Sequence, residues 1–591
     1  MRKPNTDHWK LPLTTGLLLF AQCLEELLFD YTLDSYKSRA LNTHTRCLEL
    51  LQTISDVKSG VIHQKTLGPI VDELAHSVSN DFAAKSLLGP RAISFANSQW
   101  WNIANLDALR VQGELLEGKL RQRLYEAEII RILRDIIPAA KRKDDIISLA
   151  SDLVVEWMYL GFSRSYIYFM TREFFFKGRL QINDVSELDR FLKWLEPIPR
   201  KWDVCMRVNK ALLTLGPVLS LDNLELVETP PRCRSDSDRE KEFLKAQHEG
   251  AYCVLRDVEA LDARAANIQA VNQLAVLWSM ASFHVHKTSL LSLEDDVLVW
   301  EKNTSTVLQP PTRPVHMQEE CRVEQLAQRL KRTVDALNPD NINDGSWVRI
   351  EAAFGLHASA LGSSEPSVQL SSLWAALESL IPSSLEDSRI GTIIDVVAPM
   401  LSVGYAAKLF SDLDKSLHVC CPGLYDSIQR KLGSSGNHSI ACTEIVCIQS
   451  NKSFMEELLA GLDGNPLLRH RIFRLHESFS RSDHILESIR LHQRRVEWHL
   501  RRIYRSRNLL LHAGRSLLIR ESLVENLHSY FKQIMIRLED VYSRTSSPVS
   551  LDAAFYSIGL EHSAHLDFLK ASGKTNCDSS NIECLLYGQG I

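Results

Sequence analysis

Four signatures are missing from this chain: a CxxC pair, a GxxxxGK[ST] loop, a GxGxxG run and an HExxH helix. Their absence leaves no paired-thiol or zinc-ribbon site, no phosphate loop of an ATPase, no dinucleotide fingerprint and no zinc-protease helix. The 12 cysteines are scattered over 591 residues, and only Cys420-Cys421 and Cys442-x4-Cys447 come close together. Reduced, buried thiols are therefore expected, not a disulfide framework. Long apolar runs are also missing. Leu17–Phe20 is the core of a short one, but Glu25 and Glu26 follow almost at once and no small-residue cleavage site accompanies it. That pattern predicts an amphipathic helix, not a signal peptide or a membrane span, and a cytoplasmic protein with no membrane partner. Finally, a net charge of -5 and a pI near 6.5 exclude a chain that is basic throughout. Any nucleic-acid surface has to be local.

What is present is ordinary globular material, 45% hydrophobic and 24% charged. By length it suffices for about three or four domains. Apolar residues at three- and four-residue spacing predict helices at Leu17–Leu28, about Leu106–Ile137, Asp145–Leu160 and Arg164–Phe176. The aromatic run Phe174-Phe175-Phe176 points in three directions on a helix, so core packing is expected over base stacking. From Lys201 the period changes to two, with Trp202, Val204, Met206 and Val208 alternating with Asp203, Cys205 and Arg207. Leu224–Val227, Tyr252–Leu255, Asp296–Trp300 and Val307–Leu308 are further strands, with a helix at Asp262–His284 between them. Gln309–Pro314 is a stiff connector. His284-x-His286 lacks a second ligand cluster, so no metal and no cofactor is expected. Beyond the connector the chain is helical again at Glu319–Leu337, Val348–Leu361, Gln369–Ile381 and Ile390–Leu409, the last with a kink expected at Pro399. The chain is thus mainly α, in segments 1–198 (helical), 199–314 (a small α+β domain), 315–545 (a helical bundle) and a tail at 546–591.

One segment departs from the average. Between Arg469 and Arg520 there are thirteen arginines, six histidines and no lysine, against Glu477, Asp483, Glu487 and Glu497. A local excess of nine positive charges points to a polyanion partner, and planar guanidiniums suit phosphate better than lysine does. On an ideal helix Arg501, Arg505, Asn508 and His512 fall within about 60° of one another. Val496, Leu500, Ile503 and Leu510 form the apolar stripe, and Arg507 interrupts it. An arginine there requires a carboxylate or a phosphate. Histidine beside arginine is also a unit that can cleave RNA without a metal, the imidazole moving protons and the guanidinium stabilising charge on the phosphorane. Arg507 and His512 are about 140° apart on one ideal helix, so either the helix distorts before Gly514 or the site combines residues from two chains, and the composite site is favoured.

Leu373–Ile381 (LWAALESLI) and Trp498–Gly514 (WHLRRIYRSRNLLLHAG) together resemble the two signature helices of the HEPN superfamily, in particular its Apea-like branch. Members carry a tryptophan-and-glutamate helix upstream and an Arg-Asn-x3-His run downstream. The likeness covers roughly residues 340–545, about a third of the chain. It implies a HEPN-like helical bundle that dimerises and acts as a metal-independent endoribonuclease. Arg507 and His512 would be catalytic, with Asn508 beside the motif arginine, and Glu378 would pair with Arg507 or orient it. Arg505 satisfies the looser spacing of the same motif. Arg501, Arg502 and Arg515 would bind RNA. The resemblance further implies an effector of bacterial anti-phage defence or a toxin-like role, cutting tRNA or mRNA. Residues 1–335 would be the sensing or regulatory part, with a phage-derived or regulatory partner. The alternative is a non-catalytic HEPN-type module that binds RNA or a protein through the same arginine face.

Overall fold

A computed structural model of the chain describes residues 6–29, 39–210, 212–213, 223–246, 250–282, 293–308, 323–338, 342–363, 365–382, 389–433, 438–513, 521–545 and 547–588. The fold is mainly helical with one small antiparallel sheet. The chain opens with α1 (Thr15–Leu28), α2 (Thr43–Lys58), α3 (Leu67–Asn80), α4 (Phe82–Leu88), α5 (Ala92–Phe95), α6 (Leu106–Glu117), α7 (Gln122–Ile136), α8 (Lys143–Leu160), α9 (Arg164–Phe175) and α10 (Glu187–Trp194). The sheet region follows as β1 (Arg200–Val208), β2 (Leu224–Val227), α11 (Asp238–Lys245), β3 (Ala251–Ala260), α12 (Ala263–Ser282), β4 (Leu293–Glu301) and β5 (Thr304–Leu308). Next come α13 (Val323–Ala336), α14 (Asp344–Gly362), α15 (Pro366–Leu380), α16 (Arg389–Val403), α17 (Tyr405–Cys420), α18 (Pro422–Leu432) and α19 (His438–Cys447). The chain closes with α20 (Lys452–Ala460), α21 (Pro466–Phe479), α22 (Ser482–Ala513), α23 (Glu521–Arg544), α24 (Leu551–Ala571) and α25 (Ile582–Tyr587).

Two compact units divide these elements, one comprising residues 1–152, 181–185 and 314–591, the other 153–180 and 186–313. The first N-terminal helices thus share a unit with the chain beyond residue 314, a grouping that the linear segments 1–198 and 315–545 do not contain. Residues 546–591 carry α24 and α25, whose Leu551, Phe555 and Ile558 enter one core of that unit and Leu569, Leu585 and Leu586 another.

Besides the apolar residues that the N-terminal helices bury, such as Phe20, Ile54, Leu74 and Tyr125, the larger unit buries two clusters beyond residue 314. In the first, α14, α15, α16, α23, α24 and the second half of α22 enclose Trp374, Leu377, Val397, Leu500, Ile503, Phe531 and Tyr542. In the second, α17 to α21 and the start of α22 enclose Phe410, Tyr425, Ile445, Leu468, Phe479 and Ile485. The stretch between the two helices of the resemblance is therefore a packed helical layer of its own. Pro399 lies inside α16 without ending it, and the bend, 42°, comes at Gly404 between α16 and α17. The Arg537 guanidinium lies where a side chain at Gly404 would begin. The predicted helix Leu106–Ile137 is two helices separated at Gly118, with Leu115 and Leu124 exposed. No single helix among the described residues is long and apolar enough to cross a membrane.

In the smaller unit the strand order is β2-β3-β1-β4-β5, with Val204 of β1 opposite Leu255 and Val299. Both faces are covered. Val204, Met206 and Val299 pack under Ala266 and Ala270 of α12, while Cys205, Val254 and Trp300 pack with Phe243 of α11. The alternation in β1 had marked one face as polar; instead Cys205 is buried and Asp203 is held by Arg234 and Arg256 at 2.6 and 2.9 Å. Phe174, Phe175 and Phe176 are all core.

Candidate functional site

The helix that supplies Glu378 begins with Pro366 in its first turn, where the missing N–H costs nothing. It has no glycine at its C-terminus. Its last carbonyls are taken by two guanidiniums instead. Arg389 donates to Glu378 O at 2.8 Å and Pro382 O at 2.7 Å, and Arg349 to Ser379 O at 3.1 Å and Leu380 O at 2.7 Å. These bonds satisfy the orphan acceptors of α15 and fix the turn carrying Glu378. Its buried Trp374 meets Tyr504 of α22, ring centroids 5.6 Å apart.

Along α22 the apolar stripe runs as the periodicity predicts through Val496, Leu500 and Ile503, each at most 3% exposed. In the last turns it rotates by one residue: Leu509 is buried, Leu510 half-buried and Leu511 exposed. Arg507 continues this stripe and faces α15, its Nη2 3.6 Å from Glu378 Oε2, with both side chains 23% exposed. Its Nη1 donates to Asn508 Oδ1 at 3.0 Å. Its Nε is buried and has no hydrogen-bond partner among the described residues. Arg507, Asn508 and Glu378 are thus brought together, with donor capacity left over. The backbone of His512 continues α22 almost to its end, while its side chain, and all of Arg515, lie outside the described residues.

Two other arginines assigned from sequence have a different environment. Arg502 is buried and bonds Glu49 of α2 at 2.9 Å and Glu73 of α3 at 2.5 Å. Arg505, also buried, pairs with the same Glu49, and Arg46 bonds Glu73 at 3.0 Å. Burial alone would push the Glu49 carboxyl up, but Arg502 and then Arg505 outweigh it and hold it below its ordinary value. For Glu73 burial acts the same way, and Arg502 and Arg46 bring it down to about 2. Arg502 as an RNA-binding residue and Arg505 as a motif arginine are therefore corrected: both guanidiniums are buried against carboxylates of α2 and α3. Nor is the polar stripe through Arg505 a solvent face, because α2 covers it. Arg501 stays half-exposed, lining a cleft.

The same pairing accounts for much of the local charge excess. Arg471 bonds Glu26 at 2.5 Å, Arg474 reaches Asp144 at 3.3 Å and Glu477 at 2.6 Å, and Arg469 and Arg481 pair with Asp463 and Asp483. Two histidines of the segment serve as packing groups. Burial drives His492, stacked on Tyr405 at 3.9 Å, down to about 3, and His499, hydrogen-bonded to Tyr530 at 2.9 Å, down to about 4.

Glu49 and Glu73 went unnoticed in the sequence, although Glu73 carries a signal: it lies among the buried Ile70, Val71 and Leu74, where a carboxylate demands a cation. His284 and His286 lie outside the described residues, and among the described ones no group of three or more His, Cys, Asp or Glu side chains could hold a metal ion. No family model, curated protein or solved structure matches the chain.

Proposed function

We propose that this protein is a metal-independent endoribonuclease of HEPN type, with Arg507 and His512 in one site. The observation that supports the reading is the Arg507–Glu378 pair, joining at 3.6 Å the two helices that carry the sequence resemblance. Glu378 orients a guanidinium whose Nε has no partner, so that a phosphate oxygen can complete its donor set. In the reaction the 2′-hydroxyl attacks phosphorus, the bond to the 5′-oxygen breaks, and the products carry a 2′,3′-cyclic phosphate and a 5′-hydroxyl. Arg507 stabilises the charge on the phosphorane, and His512 transfers the proton to or from an oxygen. A second protomer of a homodimer brings the complementary residue.

A defence or toxin-like effector role belongs to the same proposal, with tRNA or mRNA as substrate. The acids of α2 and α3 that grip α22 at Arg505 and Arg502, within about a turn and a half of Arg507, give the N-terminal region a physical route for regulating the site. The test is to incubate the purified protein and its His512→Ala variant with total RNA and tRNA in EDTA. Cleavage by the first alone, leaving cyclic ends, is expected; equal cleavage, or none by either, overturns the reading.

A second reading, a non-catalytic module that binds RNA or an acidic protein, draws on the engagement of Arg502 and Arg505 by Glu49, which shrinks the cationic face. It predicts salt-sensitive binding that survives His512→Ala, without products.

A further inference from the structure

Arg494, Glu497, Trp498 and Arg501 recur at spacings of three and four along α22 and so share one face. They form one wall of a cleft of about 540 Å³ within the larger unit, with Asp72 and His76 of α3 on the other. That volume lies within the usual range of small-molecule sites. In contrast to Arg502 and Arg505, neither Arg494 nor Arg501 has a carboxylate partner among the described residues. Glu497, three residues from one and four from the other, is hydrogen-bonded by Gln493 Nε2 at 3.1 Å. The two arginines lie about 10 Å apart along the helix axis, with Trp498 between them.

The aromatic part of the cleft is equally specific. The Trp498 and His76 rings stand 5.2 Å apart at 46°, a corner with a half-buried indole. Burial, then the charges of Arg495 and Arg494, keep the His76 imidazole below its ordinary pKa and hence neutral. Asn80 Nδ2, whose orientation is set by its 2.7 Å bond to His76 O, approaches His76 Nε2 at 3.4 Å. The exposed Asp72 adds an acceptor suited to an exocyclic amine.

We infer that this cleft is a nucleotide-binding subsite, in which Arg494 and Arg501 hold phosphate, Trp498 stacks on the base and Asp72 accepts from its edge. The ligand chemistry is a nucleoside phosphate, either free or as one unit of a single strand. The subsite does not depend on cleavage: a chain that cuts no RNA can still bind here.

The test uses the full-length chain. Calorimetry with AMP, GMP, CMP and UMP, and with inorganic phosphate, is run beside fluorescence anisotropy with a labelled single-stranded oligouridylate. Saturable binding of a mononucleotide more tightly than phosphate identifies a free-nucleotide pocket, and binding of the oligomer alone identifies a strand subsite. Either supports the inference, provided the variants respond. Arg494→Gln and Arg501→Gln should each weaken binding about tenfold to hundredfold. Trp498→Ala should weaken it about tenfold, with Trp498→Phe largely restoring it. Circular dichroism checks the fold of each variant. Absence of binding by the unaltered chain, affinity unchanged in the double arginine variant, or phosphate binding as tight as nucleotide and indifferent to Trp498→Ala would each overturn it.

Discussion

Two positions separate Arg505 from Arg507 on α22, about 200° of helix. That rotation puts the first against Glu49 in a buried contact with α2 and the second against Glu378, half-open and with one nitrogen unpaired. Residue type and sequence neighbourhood are shared, and the surroundings differ. In one place the guanidinium belongs to a cluster of three arginines and two carboxylates whose remaining charge is fixed by the fold. In the other it keeps capacity for an outside anion. Counting charges along a sequence cannot distinguish these, because what separates them is the partner that tertiary structure supplies.

The largest effect that would break the comparison is on stability. Arg502→Ala leaves Glu49 with Arg505 alone and Glu73 with Arg46 alone, and should lower the unfolding free energy by about 1.5–3 kcal/mol. A fall in the urea midpoint checks it; a change under about 1 kcal/mol would mean that the contact is hydrated. Next is Arg507→Ala, expected to lower RNA cleavage by about 10²–10³-fold while costing less than about 1 kcal/mol of stability. Turnover and urea unfolding on the same preparation separate the two effects.

The third prediction concerns pH. His499 is held neutral in the fold, down to about 4, whereas in the unfolded chain it titrates near its ordinary value of 6.5. Between these values the unfolded state binds the extra proton, so the contribution present above pH 6.5 is lost on acidification, at about 1.4 kcal/mol per pH unit. His499→Phe should flatten the slope of stability against pH by about that amount over pH 6.5 to 4, as read from urea midpoints at several pH values. An unchanged slope would place the acid sensitivity elsewhere. The smallest effect is that of Glu378→Gln, which keeps the shape and removes the charge. Stability should change by less than about 1 kcal/mol, because the pair is partly exposed. Cleavage should fall by less than in Arg507→Ala, a ranking that a side-by-side kinetic comparison checks.

How much of this was legible follows from the range of each interaction. Periodicity placed α1, α9, α12, α15, β1 and β2 near their observed limits, because burial on one face or both repeats with the backbone's own period, while β3 and β5 run well beyond the segments expected for them. The Glu378–Arg507 pair was within reach because Arg507 intrudes on an apolar stripe, where it needs an anion, and the resemblance offered Glu378 on the upstream helix as its partner. One local rule failed: Pro399 is tolerated within α16, and the bend falls at Gly404. The cover over Arg502 and Arg505 was not legible, since its carboxylates lie more than four hundred residues away in sequence. The cleft face also escaped notice, because Arg494-x2-Glu497-Trp498-x2-Arg501 reads as one more piece of a charged helix until α3 is set beside it.

The distance between Glu49 and Arg502 also bears on how the chain is made. At about 5–20 residues per second, a ribosome needs roughly half a minute or more to travel from one to the other. During that time Glu49 has neither of its arginines and Glu73 has only Arg46 of α2. The larger unit therefore closes late, by docking its first helices onto its last ones. A chain that ended before α22 would leave Glu49 with no arginine and Glu73 with Arg46 alone.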